Sequence, residues 1–390
     1  MPPSDDASLS FLERVTWLLR RQPHKIDYAL ATSATPLPSD AALGLRIGAA
    51  YCHAMETFQP TASFWDQSFF AAKRNIHDAM ISGSVEAIEA VLINPAETSL
   101  FWGFDGPTKP PADAWADAET APRDPHAFVL RNANATADWH RLYGIWLMDS
   151  LVSAGEAMGI LRADYPEISL EMPRQYPGGL SVDEIIDRMD QMLGLGLQFP
   201  NPFPGELGLP SRRGIVSFRA IQALYQAWRI WTLAEGNPDF SVLEIGAGLG
   251  RTAYFARTLG LRDYTIIDIP MTNLAQADFL CRTLDPTEVS LFTEPRAQTN
   301  ILPPFMLSRL DRSFDLIVNV DSFTEMSSES MMDYYDFARR HRTPILSINH
   351  EYNANTFREV YTRDSIAKAT RYPYWPRRGY VEEVVTWRNA

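Results

Sequence analysis

Glu244 and three alternating glycines, Gly246, Gly248 and Gly250, stand at the end of the apolar run Ser241-Val-Leu-Glu-Ile245, just before Arg251-Thr-Ala-Tyr-Phe-Ala256. The run reads as a buried strand, the glycines as a tight turn and the segment from Arg251 as a helix, which together open a nucleotide-binding α/β unit. Backbone without Cβ atoms turns sharply and lets a ligand approach. Gly246, Ala247 and Gly248 are therefore the expected contacts, with Glu244 where the strand end opens into the crevice. Asp268 ends the next strand, Tyr264-Thr-Ile-Ile-Asp268, and a carboxylate there accepts hydrogen bonds from both hydroxyls of a ribose. Ile269 then offers an apolar face to an adenine, and Pro270 stops the strand.

Two side chains at later strand ends are candidate bases. Phe314 to Val318 reads as a buried parallel strand, which places Asn319, Val320 and Asp321 at its carboxyl end beside Gly246. Pro344 to Ile348 reads as the strand after it, with His350 leaving its end. Asp321 and His350 both project into the crevice of such a sheet, and either one taking a proton from a hydroxyl is general-base chemistry. The competing readings are that Asp321 caps the next helix or holds a ligand ammonium, and that His350 orients a neighbour. Asp321, Glu325 and Glu351 also suit a divalent cation chemically, but no recognised ligand spacing supports a metal, and the metal-free reading is preferred.

These positions require an alternating sheet. Helices over about 271–284 and 328–340 and a short strand at Val289-Ser-Leu-Phe292 complete a βα pattern, so residues 236–390 are expected to form a doubly wound, mostly parallel sheet. Residues 1–235 are expected to be a mainly helical N-terminal domain, with helices over 8–21, 40–58, 65–92, 137–162 and from Val182, where Ser181-Val-Asp-Glu184 is a capping box. His53 and His77 have no partners at metal spacing. The proline-rich, acidic stretch 106–125 reads as an exposed loop, and the Asn134-Ala-Thr136 glycosylation match has no secretory context. The Pro-rich segment 194–205 with Phe199 and Asn201 is either a lid over an acceptor pocket or an interdomain linker. A helix over 217–234 carries an aromatic stripe that includes Tyr225, and Arg219 near its start is in reach of a ligand carboxylate.

Glycine spacing narrows the ligand. The dinucleotide fingerprint G-x-G-x-x-G would put its last glycine where Arg251 stands. A carboxylate at Glu244 serves a pyrophosphate poorly and serves a sulfonium ligand with an ammonium group well. Glu244, the glycines and Asp268 resemble motif I and the second strand end of class I S-adenosylmethionine-dependent methyltransferases. Asn319-Val-Asp-Ser-Phe-Thr-Glu-Met326, Asp268-Ile-Pro270 and Tyr380-Val-Glu-Glu-Val384 are similar to the sugar O-methyltransferases. The resemblance covers about two-fifths of the chain and implies a Rossmann-like core with S-adenosylmethionine as methyl donor and S-adenosylhomocysteine as product. Glu244, Gly246, Gly248 and Asp268 would bind the donor, and the acceptor would lie between the helical region and the strand ends. Phe199, Asn201, Tyr225, Glu325 and Glu351 are the expected acceptor contacts, and Ala247, Ile269, Asn319, Val320 and Arg219 the further donor contacts. The rivals are an NAD(P)-dependent oxidoreductase, which Arg251 opposes, and a non-catalytic S-adenosylmethionine-binding protein. Nitrogen or carboxylate acceptors are alternatives to a hydroxyl.

Composition sets the partners. At 390 residues and 46% hydrophobic the chain holds two sizeable cores, and its net charge of −13 repels phosphate backbones, so a small molecule rather than a nucleic acid is expected as acceptor. The exception is a basic stretch near the end, Arg358 to Arg388, read as a solvated face. No apolar stretch spans a bilayer and the acidic start is no signal peptide, so a cytoplasmic protein without membrane partners, and with a homodimer as an option, is expected. Cys52 and Cys281 are too few for a disulfide framework.

Overall fold

A computed structural model describes residues 30–33, 38–60, 65, 67–93, 95, 98, 100, 135–162 and 179–388. The expected helix over 8–21, the loop 106–125 and Asn134 lie outside the described residues. In chain order come β1 (Ala31–Thr32), α1 (Ala41–Met55), α2 (Gln67–Ala72), α3 (Arg74–Ile81), α4 (Val85–Leu92), α5 (Ala135–Ala157) and α6 (Val182–Leu193). The hairpin β2 (Leu207–Ser211) and β3 (Gly214–Val216) and helix α7 (Phe218–Leu233) follow. The alternating half contains β4 (Ser241–Ile245), α8 (Arg251–Thr258), β5 (Asp263–Ile267), α9 (Pro270–Thr283), β6 (Val289–Ser290), β7 (Thr299–Leu302) and β8 (Leu316–Val320). It ends with α10 (Ser328–His341), β9 (Ile345–His350), α11 (Phe357–Tyr361), β10 (Ala367–Pro373) and β11 (Tyr380–Trp387).

The chain divides into two compact units, Met1–Ala34 with Pro107–Tyr225, and Thr35–Gly106 with Gln226–Ala390. The boundary expected after residue 235 therefore differs from the observed division in two ways: it falls ten residues earlier, inside α7, and α1 to α4 belong with the sheet. The physical reason is α1. Its face Ile47, Tyr51 and Ala54 is buried, and Arg46 reaches across to Glu294 with two bonds of 2.7 Å and to the carbonyl of Val289 at 2.5 Å. An amphipathic pattern announces a buried face without saying which element covers it.

The second unit is built on an eight-stranded sheet in the order β10-β11-β9-β8-β4-β5-β7-β6. All pairings from β9 to β6 are parallel, and β11 runs antiparallel to both its neighbours, so it is the one reversed strand. The observed sheet is thus the mostly parallel α/β architecture expected. Strand order turns back at β4, which has β5 on one side and β8 on the other, and the crevice outside these carboxyl ends is where ligands bind in such sheets. Leu243, Ile245, Ile267 and Ile317 pack on one face against Phe323, Tyr335, Phe337 and Phe357. β7 was not legible in the sequence because Thr299 and Asn300 are polar, yet they are 0% and 4% exposed. Asn300 accepts from Ser290 Oγ at 2.8 Å and from the Ala297 amide at 3.0 Å, which makes its burial tolerable.

The first unit is not purely helical. The capping box of α6 forms as expected, with Ser181 accepting from the Glu184 amide and Glu184 accepting from the Ser181 amide at 2.7 Å, and Gly194 closes the helix in the left-handed region. A three-stranded antiparallel sheet, β1-β2-β3, stands beside the helices and was unexpected. Gly208 and Pro210 mask the strand character of β2, but β1 pairs only with Leu207 and Gly208, so Pro210 lies where that side of β2 is an edge.

Replacing Arg46 with Met should lower the stability of the second unit by ~1–3 kcal/mol, since Glu294 and a carbonyl lose their charged donor. Urea titration followed by tryptophan fluorescence measures it, and a variant as stable as wild type would show that α1 is held by its apolar face alone.

Candidate ligand-binding and catalytic site

Gly246 begins the turn after β4 with φ +70°, and a Cβ built there would lie 2.3 Å from Ser322 Oγ. Any side chain at 246 would collide with the segment after β8, so glycine is required by contact as well as by dihedral. Gly250 caps α8 with φ +87°, and Arg251, in the position of a third fingerprint glycine, is 7% exposed with its guanidinium over the Phe279 ring. A long side chain packed there replaces the close helix-to-strand approach that a pyrophosphate site uses.

Asp268 lies at the end of β5, beside this turn. Its carboxylate accepts from the Ile269 amide at 2.8 Å and from Gln276 Nε2 at 2.7 Å, and the amides of Ala247 and Gly248 lie on its side of the turn and favour its ionised form. Burial pushes its pKa up to about 7 against the pull of these donors. Glu244 departs from expectation. Instead of opening into the crevice it is 1% exposed beneath the turn, where Tyr264 donates to Oε2 at 2.9 Å. Burial, and secondarily the nearby Asp268 charge, push its pKa up to about 8 even though the tyrosine bond favours ionisation. At neutral pH it is mostly protonated, so it supplies no repulsion toward a pyrophosphate, and the discrimination rests on Arg251 and the turn.

Asn319 also departs from its expected role as a ligand contact. It is 0% exposed, its Nδ2 donates to the carbonyl of Ile245 at 2.9 Å, and its Oδ1 accepts from the Phe323 amide at 3.1 Å and Asn349 Nδ2 at 2.8 Å. Its groups are consumed in tying β4, β8 and β9 together. Val320 and Ile269 remain partly exposed at the strand ends, and Val320 pairs with Ile348.

The two candidate bases meet. Asp321 takes φ +56°, and its Oδ1 lies 3.8 Å from His350 Nε2. Two residues that sequence reasoning missed complete the cluster: Arg377 donates to Asp321 Oδ2 and Tyr380 donates to Oδ1, each at 2.6 Å, while the Arg377 guanidinium covers the Tyr380 ring at 4.1 Å. Tyr380 lies opposite His350 in the β9–β11 register, so this contact depends on a strand pairing that sequence spacing does not reveal. His350 Nδ1 accepts from the Tyr352 amide at 3.2 Å, which leaves the ring proton on Nε2 facing Asp321 and Thr324 Oγ1, the latter at 3.4 Å. Nδ1 is thus the basic nitrogen, with Asp321 as the group that orients the ring.

Glu351 does not join Asp321. It binds Arg371 through two bonds of 2.8 and 2.7 Å and approaches Arg358 at 3.2 Å, and these charges lower its pKa. Glu325 sits in a short 3-10 turn, Phe323–Glu325, and is partly exposed. Among the described residues no three His, Cys, Asp or Glu side chains gather as cation ligands. Within the basic stretch near the chain end, Arg358, Arg371 and Arg377 are paired with acids.

Arg219, Phe199, Asn201 and Tyr225 lie in the first unit. Phe199 is 1% exposed and its amide donates to the carbonyl of Arg213 at 2.8 Å. Asn201 donates to Glu206 Oε2 at 2.6 Å and accepts from the Ile215 amide at 2.7 Å. These bonds pin the segment 194–205 to the hairpin, so Phe199 and Asn201 act as internal supports of that unit where a free lid was one expectation. Tyr225 is buried and Arg219 exposed.

No protein-family model matches the chain, and no curated protein matches it. Among solved structures it is similar to the O-methyltransferase TomG of Streptomyces achromogenes, solved with S-adenosylmethionine, at 14% identity over 43% of this chain and 80% of that one, with a TM-score of 0.32. It is also similar to the glycopeptide N-methyltransferase MtfA with sinefungin, at 14% identity, 43% and 87% coverage and TM-score 0.34. A ribosomal protein L11 methylase of Lactobacillus delbrueckii subsp. bulgaricus aligns at 15% identity, 43% and 80% coverage and TM-score 0.33. Likenesses this distant leave function to be argued from the residues. Among the described residues no helix is long and apolar enough to cross a membrane.

The protonated Glu244 gives a pH prediction with a defined sign. Its folded pKa lies above the ordinary carboxylate value, so between about pH 4 and pH 8 the native state holds a proton that the unfolded chain releases, and stability falls as pH rises through that window. Asp268 adds in the same direction up to about pH 7, to a smaller extent because it is partly exposed. Glu244→Gln should reduce the stability lost between pH 5 and pH 8 by on the order of 2–4 kcal/mol. Parallel urea titrations measure this, and identical pH slopes in the two proteins would count against a buried protonated carboxyl.

Proposed function

We propose that the chain is an S-adenosylmethionine-dependent methyltransferase acting on a hydroxyl of a small molecule, with a sugar as the substrate class that its motifs resemble. The observation that carries the reading is the Asp268 carboxylate, held by the Ile269 amide and Gln276 at the end of β5 beside the glycine turn, at the switch point of the sheet. A carboxylate and backbone donors there suit a ribose diol and the polar end of a nucleoside ligand. The residues fit the group: the turn is closed to any Cβ at Gly246, and Ile269 and Val320 offer partly exposed apolar surface at the adjoining strand ends. When bound, S-adenosylmethionine supplies an activated methyl group for in-line displacement.

The chain's own residues do the rest. Asp268 would hold the ribose hydroxyls, and the glycine turn, bare of side chains, would let the ligand approach the backbone. His350 would take the acceptor proton on Nδ1 after the acceptor hydroxyl replaces the Tyr352 amide there, and Tyr352, 94% exposed, is free to yield. Asp321, held by Arg377 and Tyr380, would stabilise the imidazolium that forms through its Nε2 side. The acidic surface supports a small acceptor over a nucleic acid.

Calorimetry is expected to show S-adenosylhomocysteine binding and no NAD binding, with Asp268→Asn weakening the former by about 10–100-fold through loss of charge-assisted bonds. Tight NAD binding with no heat from either sulfur ligand would end this reading. Once an acceptor is found by screening, His350→Ala should lower kcat by ~10²–10⁴ with donor affinity unchanged. A wild-type rate in that variant would leave positioning as the chemistry and remove the base.

A further inference from the structure

Gln276, in the second turn of α9, has no place in the sequence reading and is 0% exposed. Its Nε2 donates to two acceptors at once, Asp268 Oδ2 at 2.7 Å and the carbonyl of Gly248 at 3.0 Å. The first belongs to the end of β5 and the second to the turn after β4, so one amide bridges the two pieces of backbone that form the candidate nucleoside site. Its own Oε1 is buried with no hydrogen-bond partner. A buried amide that leaves its oxygen unsatisfied gives up free energy, which its two donor bonds must offset. A methionine or leucine would fill the same space without that cost, so the polar group is explained by what it holds.

We propose that Gln276 is a positioning residue for nucleoside binding: it fixes the Asp268 carboxylate against the glycine turn in the pose that meets a ribose diol. The proposal rests on the methyltransferase reading for the identity of the nucleoside and on the geometry alone for the positioning. Removing the bridge has two separable effects. Asp268 gains rotational freedom, which lowers affinity at every pH. It also loses a donor that favours its ionised form, so it holds its proton to higher pH. Among the described residues, the other titratable groups facing Asp268 are Glu244 on β4 and Tyr334 on α10. Glu244 titrates in a neighbouring range, and its effect is removed by working in a Glu244→Gln background. Tyr334, whose pKa is raised by burial, stays neutral throughout.

The test is the affinity of the full chain for S-adenosylhomocysteine from pH 6 to pH 9, with Glu244→Gln as the parent. The parent should bind more tightly as pH climbs through the Asp268 transition near 7. Gln276→Met should bind about tenfold more weakly at pH 7, with the inflection moved upward by roughly half a pH unit or more. Gln276→Glu keeps the shape and removes the permanent donor, and its affinity should fall away above neutral pH as two carboxylates come to face each other. A weaker but unshifted profile in Gln276→Met would make the residue a packing element and overturn the proposal, as would failure of both variants to fold. If the folded parent bound no S-adenosylhomocysteine, the methyltransferase reading would fail. The Asp268 carboxyl titration, followed by carbon NMR in the ligand-free proteins, would then decide: an upward shift in Gln276→Met upholds the positioning role and an unchanged titration overturns it.

Discussion

The absence of a side chain at Gly246 lets the segment after β8 close onto the end of β4, and the site is arranged by that closure. Ser322 Oγ and Asn319 Nδ2 both reach the carbonyl of Ile245, at 3.0 and 2.9 Å, and a Cβ at 246 would occupy the space that Ser322 takes. Asn319 also receives Asn349 from β9, so three strand ends share one buried amide network. Asp321 sits between Asn319 and Ser322, both of them fixed, and its positive φ is the conformation that the tight segment leaves to it. His350 follows Asn349 directly. The candidate base and the carboxylate beside it are therefore placed by hydrogen bonds of residues within two positions of them.

Charge is handled differently on the two sides of the site. Around the candidate base, carboxylates have cations: Asp321 has Arg377, and Glu351 shares Arg371 with Glu383 of β11. At the candidate nucleoside site Glu244 and Asp268 have an amide, a phenol and a glutamine, and among the described residues no ion pair compensates their burial, so their pKa values rise toward and above neutrality. A cationic or diol-bearing ligand entering there meets the partly exposed Asp268 carboxylate, whose ionisation its own binding favours. A buried carboxyl kept protonated beneath the turn also leaves the turn's amides free of a competing negative charge from below.

Local signals in the sequence were enough for the strand-turn-helix at 241–256, the carboxylate ending β5 and the capping box of α6. Each depends on neighbours in the chain: apolar runs bury, alternating glycines turn, and a serine three residues before a glutamate caps a helix. The strand ends bearing Asp321 and His350 were legible for the same reason. The polar strand β7 and the Pro-containing strand β2 were not, because their burial is made tolerable by partners far along the chain.

Tertiary structure alone decided which side chains meet. The sequence placed Glu244 at a strand end but could not show that Tyr264, on the adjacent strand, takes its carboxyl into the interior. It placed Asp321 and His350 at separate strand ends, and the β9–β11 register brought Tyr380 and Arg377 to them. Nor did it distinguish α1 as a partner of the sheet unit, since that depends on one arginine finding Glu294 across a long separation in the chain. By itself the sequence determined the kind of fold and the crevice, because those follow from periodicity and from glycines acting locally. Which residues line the crevice, and in what charge state, was left to the tertiary structure, because burial and hydrogen-bond partners are properties of the packed chain.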